Sequence, residues 1–147
     1  MIKYFFYKLE YVRALICNDS RGRIGYRTSF SLCLVTFGFN TISFTEPLFA
    51  LDHFKQCPGR YCLILVDMIM VNLNGLELAK EIRKYNSHVK ILLITGYCKG
   101  DIRRSIDFKA AKISDVIQKP VNFEILGPRI LQLCSEKSLG NSNSKIR

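Results

Sequence analysis

A short apolar run that stops at a carboxylate constrains the fold of this chain more than any other stretch. Residues 62–66 (Cys-Leu-Ile-Leu-Val) are all apolar, and Asp67 follows them directly. A run of this length, ended by a charge, is typical of a parallel strand buried on both faces. Ligands of open α/β sheets bind beyond the carboxyl ends of the strands, so Asp67 stands where chemistry is expected. Taken alone, the stretch is equally consistent with a strand that ends at a solvated aspartate.

Helical patterns alternate with this strand and with four others along the chain. An apolar strand followed by a helix, repeated five times, predicts a parallel sheet with right-handed crossovers. The expected fold is therefore α/β: a flavodoxin-like (βα)5 doubly wound parallel five-stranded sheet with strand order 2-1-3-4-5. The other predicted strands cover residues 12–17, 41–44, 89–95 and 113–118.

Local signals predict how three of the helices begin and which side chains they bury. Thr45 is the expected N-cap of the second helix, with Leu48 facing inward. Asp101 is the expected cap of a short fourth helix that turns Ile102 and Ile106 inward. Asn122 should start the last helix, and the Gly127-Pro128 pair should bend or divide it.

The length of 147 residues fits one domain, predicted at residues 12–135. Residues 1–11 are expected to be an N-terminal extension and residues 136–147 a flexible tail. No apolar run approaches the roughly 20 residues of a membrane helix, and the N-terminus lacks the features of a signal peptide. We therefore expect a cytoplasmic protein with no membrane insertion. The six cysteines contain no C-x-x-C pair, which favours reduced thiols.

A net charge of +10 is the unusual feature of the composition. Residues 80–112 contain nine Lys or Arg against three Asp or Glu. Such an excess promotes contact with nucleic acid or acidic proteins. No DNA-reading motif accompanies it, so a solvated basic face is favoured over a nucleic-acid site. DNA binding that survives moderate salt would reverse that preference.

Polar residues follow four of the predicted strands, at the end where parallel strands share one edge. They are Asn18-Asp19 after the first strand, Asp67 after the third, Thr95 after the fourth and Lys119 after the fifth. A carboxylate can attack phosphorus, and carboxylates bind Mg²⁺, which prefers oxygen ligands. A hydroxyl can donate to a phosphoryl oxygen and an ammonium can neutralise its charge.

The same residue types, in the same order on the same strands, resemble those of response regulator receiver domains. The resemblance extends to Met70 and the Asn74-Gly75 pair, and it covers residues 12–134. By position, it implies that Asp67 is the phosphoacceptor and a magnesium ligand, that Thr95 contacts the phosphoryl group and that Lys119 pairs with it. It further implies that Asp19 and the main-chain carbonyl of Ile69 bind Mg²⁺, and that the Lys119-Pro120 peptide is cis.

Departures from the pattern of that family at two positions bear on function. Receivers have an acidic pair after the first strand, whereas this chain has Asn18 in the first position, which should weaken magnesium binding. Asn18 is equally consistent with a turn residue and with a member of the metal shell. Val116 stands where an aromatic switch residue is usual, so phosphorylation should be transmitted differently or weakly.

The resemblance predicts a single-domain response regulator and not an enzyme. It would take its phosphoryl group from a histidine kinase or a phosphotransfer protein and bind a downstream protein through the fourth helix, fifth strand and last helix. Two alternatives remain at this point: a degenerate receiver that acts as an unphosphorylated interaction module, and a basic nucleic-acid-associated protein.

Overall fold

The computed structural model describes residues 13–17 and 24–135, with side chains from residue 30 onward. The predicted extension at residues 1–11, the tail at 136–147, and Asn18 and Asp19 lie outside the described residues. The elements are β1 (Arg13–Cys17), α1 (Ile24–Thr36), β2 (Asn40–Phe44), α2 (Pro47–Gln56), β3 (Leu63–Asp67), α3 (Gly75–Arg83), β4 (Lys90–Thr95), α4 (Lys99–Arg103), α5 (Ile106–Ala111), β5 (Asp115–Gln118) and α6 (Phe123–Ser135).

The strands form one sheet in the order β2-β1-β3-β4-β5, and each neighbouring pair is parallel. Strands β3 and β4 are central and almost wholly buried, whereas β2 at one edge is largely half-exposed. The long apolar runs therefore occupy the centre of the sheet, as expected for strands covered on both faces. The predicted fold class and strand order are confirmed.

Alternation along the central strands supplies two separate hydrophobic cores. Ile64 and Val66 face one side, where they pack with residues of α2, α3 and α4. Leu63 and Leu65 face the other side, against α1 and α6. Because successive side chains of a strand point to opposite faces, one continuous apolar run can serve both layers. The helices cover the two faces of the sheet.

The prediction that Thr45 caps the second helix is wrong. The N-cap is Glu46, in extended conformation, and Pro47 occupies the first turn. A residue that precedes proline is driven into the extended region, which is the conformation of an N-cap, so Pro47 sets the helix start one residue later. Leu48 is also misplaced in the prediction: its side chain is 50% exposed, because the buried face runs through Pro47, Ala50, Leu51 and Phe54.

The predicted fourth helix is divided into α4 and α5, which changes two expectations. Cys98, not Asp101, is the N-cap of α4, and Asp101 lies in its first turn. Ser105 starts α5 by accepting a hydrogen bond from the backbone N–H of Phe108 at 3.1 Å. This new start breaks the register, so Ile102 is buried as predicted while Ile106 is 85% exposed.

The last helix is not divided at the Gly127-Pro128 pair. Helix α6 runs continuously from Phe123 to Ser135 with Pro128 inside it. The carbonyl that Pro128 leaves without a helical donor is that of Glu124, one turn back, and Glu124 is exposed. Water can satisfy that carbonyl, which limits the cost of the proline.

Among the described helices, none combines the length and the apolar character needed to cross a bilayer. The longest, α1 and α6, have 13 residues each.

Candidate functional site

The register of the sheet brings the predicted site residues to one edge. Asp67, the last residue of β3, pairs with Ile94, and Thr95, the last residue of β4, pairs with Gln118. On the other side of β3, the end of β1 at Cys17 pairs with Val66. Residues far apart in sequence therefore leave the sheet side by side, as predicted. Asn18 and Asp19 follow Cys17 directly but lie outside the described residues.

Asp67 is a nearly buried carboxylate, with 7% of its surface exposed. Its Oδ1 accepts a hydrogen bond from the backbone N–H of Ile69 at 3.2 Å. Its Oδ2 accepts one from the Lys119 ammonium at 2.7 Å, which is also an ion pair. A carboxylate has about four acceptor positions, so further ligands can still bind to it. Asp67 is thus held in place without being saturated.

Lys119 reaches Asp67 across the intervening strand β4. Its backbone N–H donates to the carbonyl of Thr95 at 2.7 Å, which fixes the start of its side chain beside the end of β4. The Lys119-Pro120 peptide is cis, as the resemblance implied. The ammonium lies 2.7 Å from a carboxylate 52 residues away in sequence, so this pairing is a tertiary feature.

Thr95 is fully buried at the same edge. Its Oγ1 accepts the backbone N–H of Tyr97 at 2.9 Å. A hydroxyl that accepts one hydrogen bond still carries a hydrogen, which can donate to an incoming oxygen. The strand pairing places Thr95 between the strands that carry Asp67 and Lys119.

The turn between β3 and α3 is tightly built around a glycine. The N–H of Gly75 donates to the carbonyl of Met68 at 2.9 Å, and the N–H of Met68 donates to Ile94 at 2.7 Å. Asn74 and Glu77 form a capping box, each side chain accepting the other's backbone N–H. A Cβ at residue 75 would lie 2.5 Å from the carbonyl oxygen of Asp67. Only glycine therefore allows α3 to begin this close to the candidate site.

The described half of the site supplies two of the oxygen donors that a magnesium site would need. Asp67 and the carbonyl of Ile69 are oxygen donors of the kind that Mg²⁺ prefers, and the Ile69 side chain beside them is 43% exposed. Within residues 13–17 and 24–135, no group of three or more His, Cys, Asp or Glu is placed to hold a metal. The remaining carboxylate would have to come from Asp19, with Asn18 as a further candidate.

One prediction concerns the residue that departs from the family pattern. Replacing Asn18 with Asp adds a carboxylate next to the end of β1, so the affinity for Mg²⁺ should rise by about tenfold, as for a second charged oxygen ligand. Calorimetric or NMR titration of Asn18→Asp against wild type measures the change. Asn122→Asp, which lies in the β5–α6 loop, is a control for added charge. An affinity for Mg²⁺ that Asn18→Asp leaves unchanged would place Asn18 outside the metal shell.

A second buried carboxylate, which the sequence analysis missed, lies at the start of β5. Asp115 accepts hydrogen bonds from Arg129 of α6 and, at 2.9 Å, from the backbone N–H of Val116. Arg103 of α4 lies 3.5 Å from its Oδ1. Asp115 therefore ties together the fourth helix, the fifth strand and the last helix, the face predicted to bind a downstream partner. The one sequence signal was a charged residue inside the predicted strand of residues 113–118.

Burial raises the pKa of Asp115, but hydrogen bonds from Arg129 and Val116 and the charges of both arginines outweigh it and hold the pKa below its usual value. A depressed pKa contributes stability above the unfolded value and loses it as pH falls. We expect Asp115→Asn to lower the free energy of unfolding near pH 7 by about 2 kcal/mol, and the difference from wild type to shrink below about pH 4.

Urea unfolding at several pH values measures that difference. Asp107→Asn, which breaks the exposed pair with Lys80, is the matched control and should change stability by less than about 0.5 kcal/mol. Equal losses in the two variants, or a loss in Asp115→Asn that does not depend on pH, would contradict this account of Asp115.

Comparison with known proteins identifies the family. The sequence model of the response regulator receiver domain matches residues 15–130, so the chain belongs to that family. The transcriptional regulatory protein ZraR of Klebsiella oxytoca is 24% identical over 133 residues, covering 90% of this chain and 28% of that protein. This chain thus spans little more than a quarter of that relative.

Solved structures agree on the fold. A receiver domain protein from Clostridium thermocellum is 21% identical, with a TM-score of 0.75, covering 87% of this chain and 98% of that one. The response regulator TrrA from Thermotoga maritima, in complex with Mg²⁺-BeF, is 28% identical, with a TM-score of 0.69 and coverage of 83% and 98%. The chain is a response regulator receiver domain of two-component signalling.

Proposed function

We propose that this receiver accepts a phosphoryl group on Asp67 from the phosphohistidine of a histidine kinase or phosphotransfer protein. One observation carries the proposal: the Lys119 ammonium lies 2.7 Å from the carboxylate of Asp67 at the edge of the sheet where β4 ends at Thr95. A nearly buried nucleophile held beside a cation is suited to receive an anionic group. The roles of these residues remain predictions.

In the proposed transfer, an oxygen of Asp67 attacks phosphorus while the bond from phosphorus to the histidine nitrogen breaks. The product is an acyl phosphate on Asp67. The Lys119 ammonium then pairs with a phosphoryl oxygen in place of the Asp67 carboxylate, and the Thr95 hydroxyl donates to another phosphoryl oxygen. Mg²⁺, held by Asp67, the Ile69 carbonyl and Asp19, would supply neutralisation of negative charge around phosphorus. The protein acts as a phosphoacceptor and not as an enzyme on external substrates.

The binding of a downstream protein is part of the same proposal. We infer that the phosphorylated receiver acts in the cytoplasm by binding a downstream protein through the face made of α4, β5 and α6. Asp115 joins these three elements through Arg103 and Arg129. Val116, at the usual place of an aromatic switch residue, is buried in the core and 2% exposed. The effect of phosphorylation at Asp67 would therefore reach this face through backbone and charge contacts, and not through a rotamer change of an aromatic side chain.

Part of the basic charge of residues 80–112 is engaged in contacts within the protein, which weakens the case for a nucleic-acid partner. Lys80 pairs with Asp107 and Lys84 with Glu81. Arg83 donates to four main-chain carbonyls, including that of Val89 at 2.6 Å. These cations are occupied by internal contacts, which reduces what is free to track a phosphate backbone.

The proposal is tested by incubating the protein with acetyl phosphate and Mg²⁺ and measuring the intact mass. We expect the addition of one phosphoryl group that requires the metal. If neither acetyl phosphate nor any kinase encoded with the protein adds a phosphoryl group, the domain is an unphosphorylated interaction module.

A further prediction is that phospho-Asp67 is long-lived. The backbone N–H groups of Ile69 and Tyr97 bond to Asp67 and to Thr95, so both side chains start beside the reacting centre. Ile69 cannot orient a water, and Tyr97 is bulky; hydrolysis needs a water held opposite the Asp67 oxygen. Replacing Ile69 with Asn and Tyr97 with Glu should accelerate loss of the phosphoryl group by about tenfold or more.

First-order decay after removal of the donor, in excess Mg²⁺, measures this rate. Val35→Asn combined with Tyr85→Glu makes similar chemical changes at two exposed residues away from the site, one near the end of α1 and one in the turn after α3. The phosphoryl group of that control variant should be lost at the wild-type rate. The water-exclusion argument is wrong if the Ile69 and Tyr97 double variant decays no faster than this control.

A further inference from the structure

Two thiols lie in contact at the end of the sheet opposite the candidate site. Cys62 immediately precedes β3, and Cys134 lies in the last turn of α6. Their Sγ atoms are 3.6 Å apart although the residues are 72 positions apart in sequence. We propose that Cys62 and Cys134 are a redox modification site, at which a peroxide forms a reversible intramolecular disulfide.

The geometry favours that bond. A disulfide has an S–S length of about 2.05 Å, so the two sulfurs must approach by roughly 1.5 Å. Rotation about the Cα–Cβ bond of each residue moves its sulfur, and we expect such rotations to close this gap. Both side chains are half-buried at the margin of the core on the α1 and α6 face. They are thus held in contact with each other and remain partly open to a small oxidant.

The other described cysteines lack this arrangement. Cys33 directs its Sγ toward the carbonyl of Phe123 at 3.8 Å, and burial raises the pKa of its thiol. A raised pKa leaves less of the reactive thiolate at neutral pH. Cys57 directs its Sγ toward the carbonyl of His53 at 3.6 Å, and Cys98 is exposed. Cys33, which is half-buried, and Cys98, which is exposed, are therefore matched controls.

The chemistry balances with one peroxide per disulfide. The thiolate of one cysteine attacks a peroxide oxygen, the O–O bond breaks, and the departing hydroxide takes up one proton and leaves as water, which yields a sulfenic acid. The second thiol attacks that sulfur, the S–O bond breaks, and a second water leaves. Two thiols are oxidised by two electrons and hydrogen peroxide is reduced to two waters. A dithiol reductant reverses the oxidation.

The bond would tie the end of α6 to the start of β3. Helix α6 carries Arg129, so oxidation would restrict one of the three elements that Asp115 joins. Closing a loop of 72 residues also restricts the unfolded chain. The melting temperature should therefore rise by about 10 °C on oxidation. This inference does not depend on phosphorylation of Asp67.

The test uses the full chain, treated with hydrogen peroxide, alkylated, and digested without reductant. We expect the main product to link the peptide containing Cys62 to that containing Cys134, with loss of two hydrogens from the intact mass. Dithiothreitol should reverse both changes and the gain in melting temperature. Cys33→Ser and Cys98→Ser should keep the link, whereas Cys62→Ser or Cys62→Ala should lose it.

Peptide mapping of the wild type decides the question even if a variant fails to fold. The proposal is overturned if Cys62 and Cys134 stay reduced after Cys98 is fully oxidised. It is equally overturned if Cys62 links instead to any other of the six cysteines.

Discussion

Asp67→Asn should reduce phosphoryl uptake from acetyl phosphate to background. Asparagine keeps the shape of the side chain, and its single Oδ1 can still accept one of the two hydrogen bonds that Asp67 accepts, from the Ile69 N–H at 3.2 Å or from the Lys119 ammonium at 2.7 Å. The fold should therefore survive, while the charged oxygen that attacks phosphorus is lost. Intact mass after incubation with Mg²⁺ measures uptake, and circular dichroism checks the fold.

Asp101→Asn is the matched control for Asp67→Asn. Asp101 is an exposed carboxylate in the first turn of α4 and makes the same change in net charge. The Asp101→Asn variant should take up one phosphoryl group, as wild type does. Uptake that persists in Asp67→Asn would show that another carboxylate or a histidine is the acceptor, and the assignment of Asp67 would be wrong.

Gly75→Ala should destabilise the protein by about 3 kcal/mol. The new Cβ would lie 2.5 Å from the carbonyl oxygen of Asp67, 2.8 Å from Cδ1 of Leu93 and 3.0 Å from Cα of Met68. Two of these atoms belong to the backbone of the β3–α3 turn, which cannot move without shifting Asp67. We therefore expect slower phosphoryl uptake together with the loss of stability.

Gly100→Ala makes the same substitution, but we expect it to raise the stability of the protein. No atom lies within 4 Å of a Cβ at residue 100, which is in α4, so alanine should stabilise the protein by about 0.5–1 kcal/mol. Urea unfolding followed by circular dichroism measures both variants. A Gly75→Ala variant as stable as wild type would mean that the turn relaxes freely and does not fix the position of Asp67.

The sheet could be predicted from the sequence because its signals are local. Apolar runs mark β3 and β4, and parallel pairing then places their ends at one edge. The meeting of Asp67 and Lys119, 52 residues apart, followed from that order of strands alone. The same argument put Thr95 between them.

Features that depend on packing between helices could not be predicted in this way. Ile106 was expected to be buried because a single helix was assumed, whereas the Ser105 cap starts a new one. The partners of Asp115 come from α4 and α6, and no periodicity reveals which helices contact the start of β5. The contact of Cys62 with Cys134 likewise exists only once α6 has folded against the sheet.

The site of phosphorylation provides the most direct test of the whole account. Protein phosphorylated with acetyl phosphate and Mg²⁺ can be reduced with borohydride, which converts an aspartyl phosphate into homoserine, and then mapped by peptide mass spectrometry. We predict homoserine at residue 67 and at no other aspartate. Homoserine at a different position, or a stable phosphoryl group on a residue other than aspartate, would contradict the assignment of Asp67 as the phosphoacceptor.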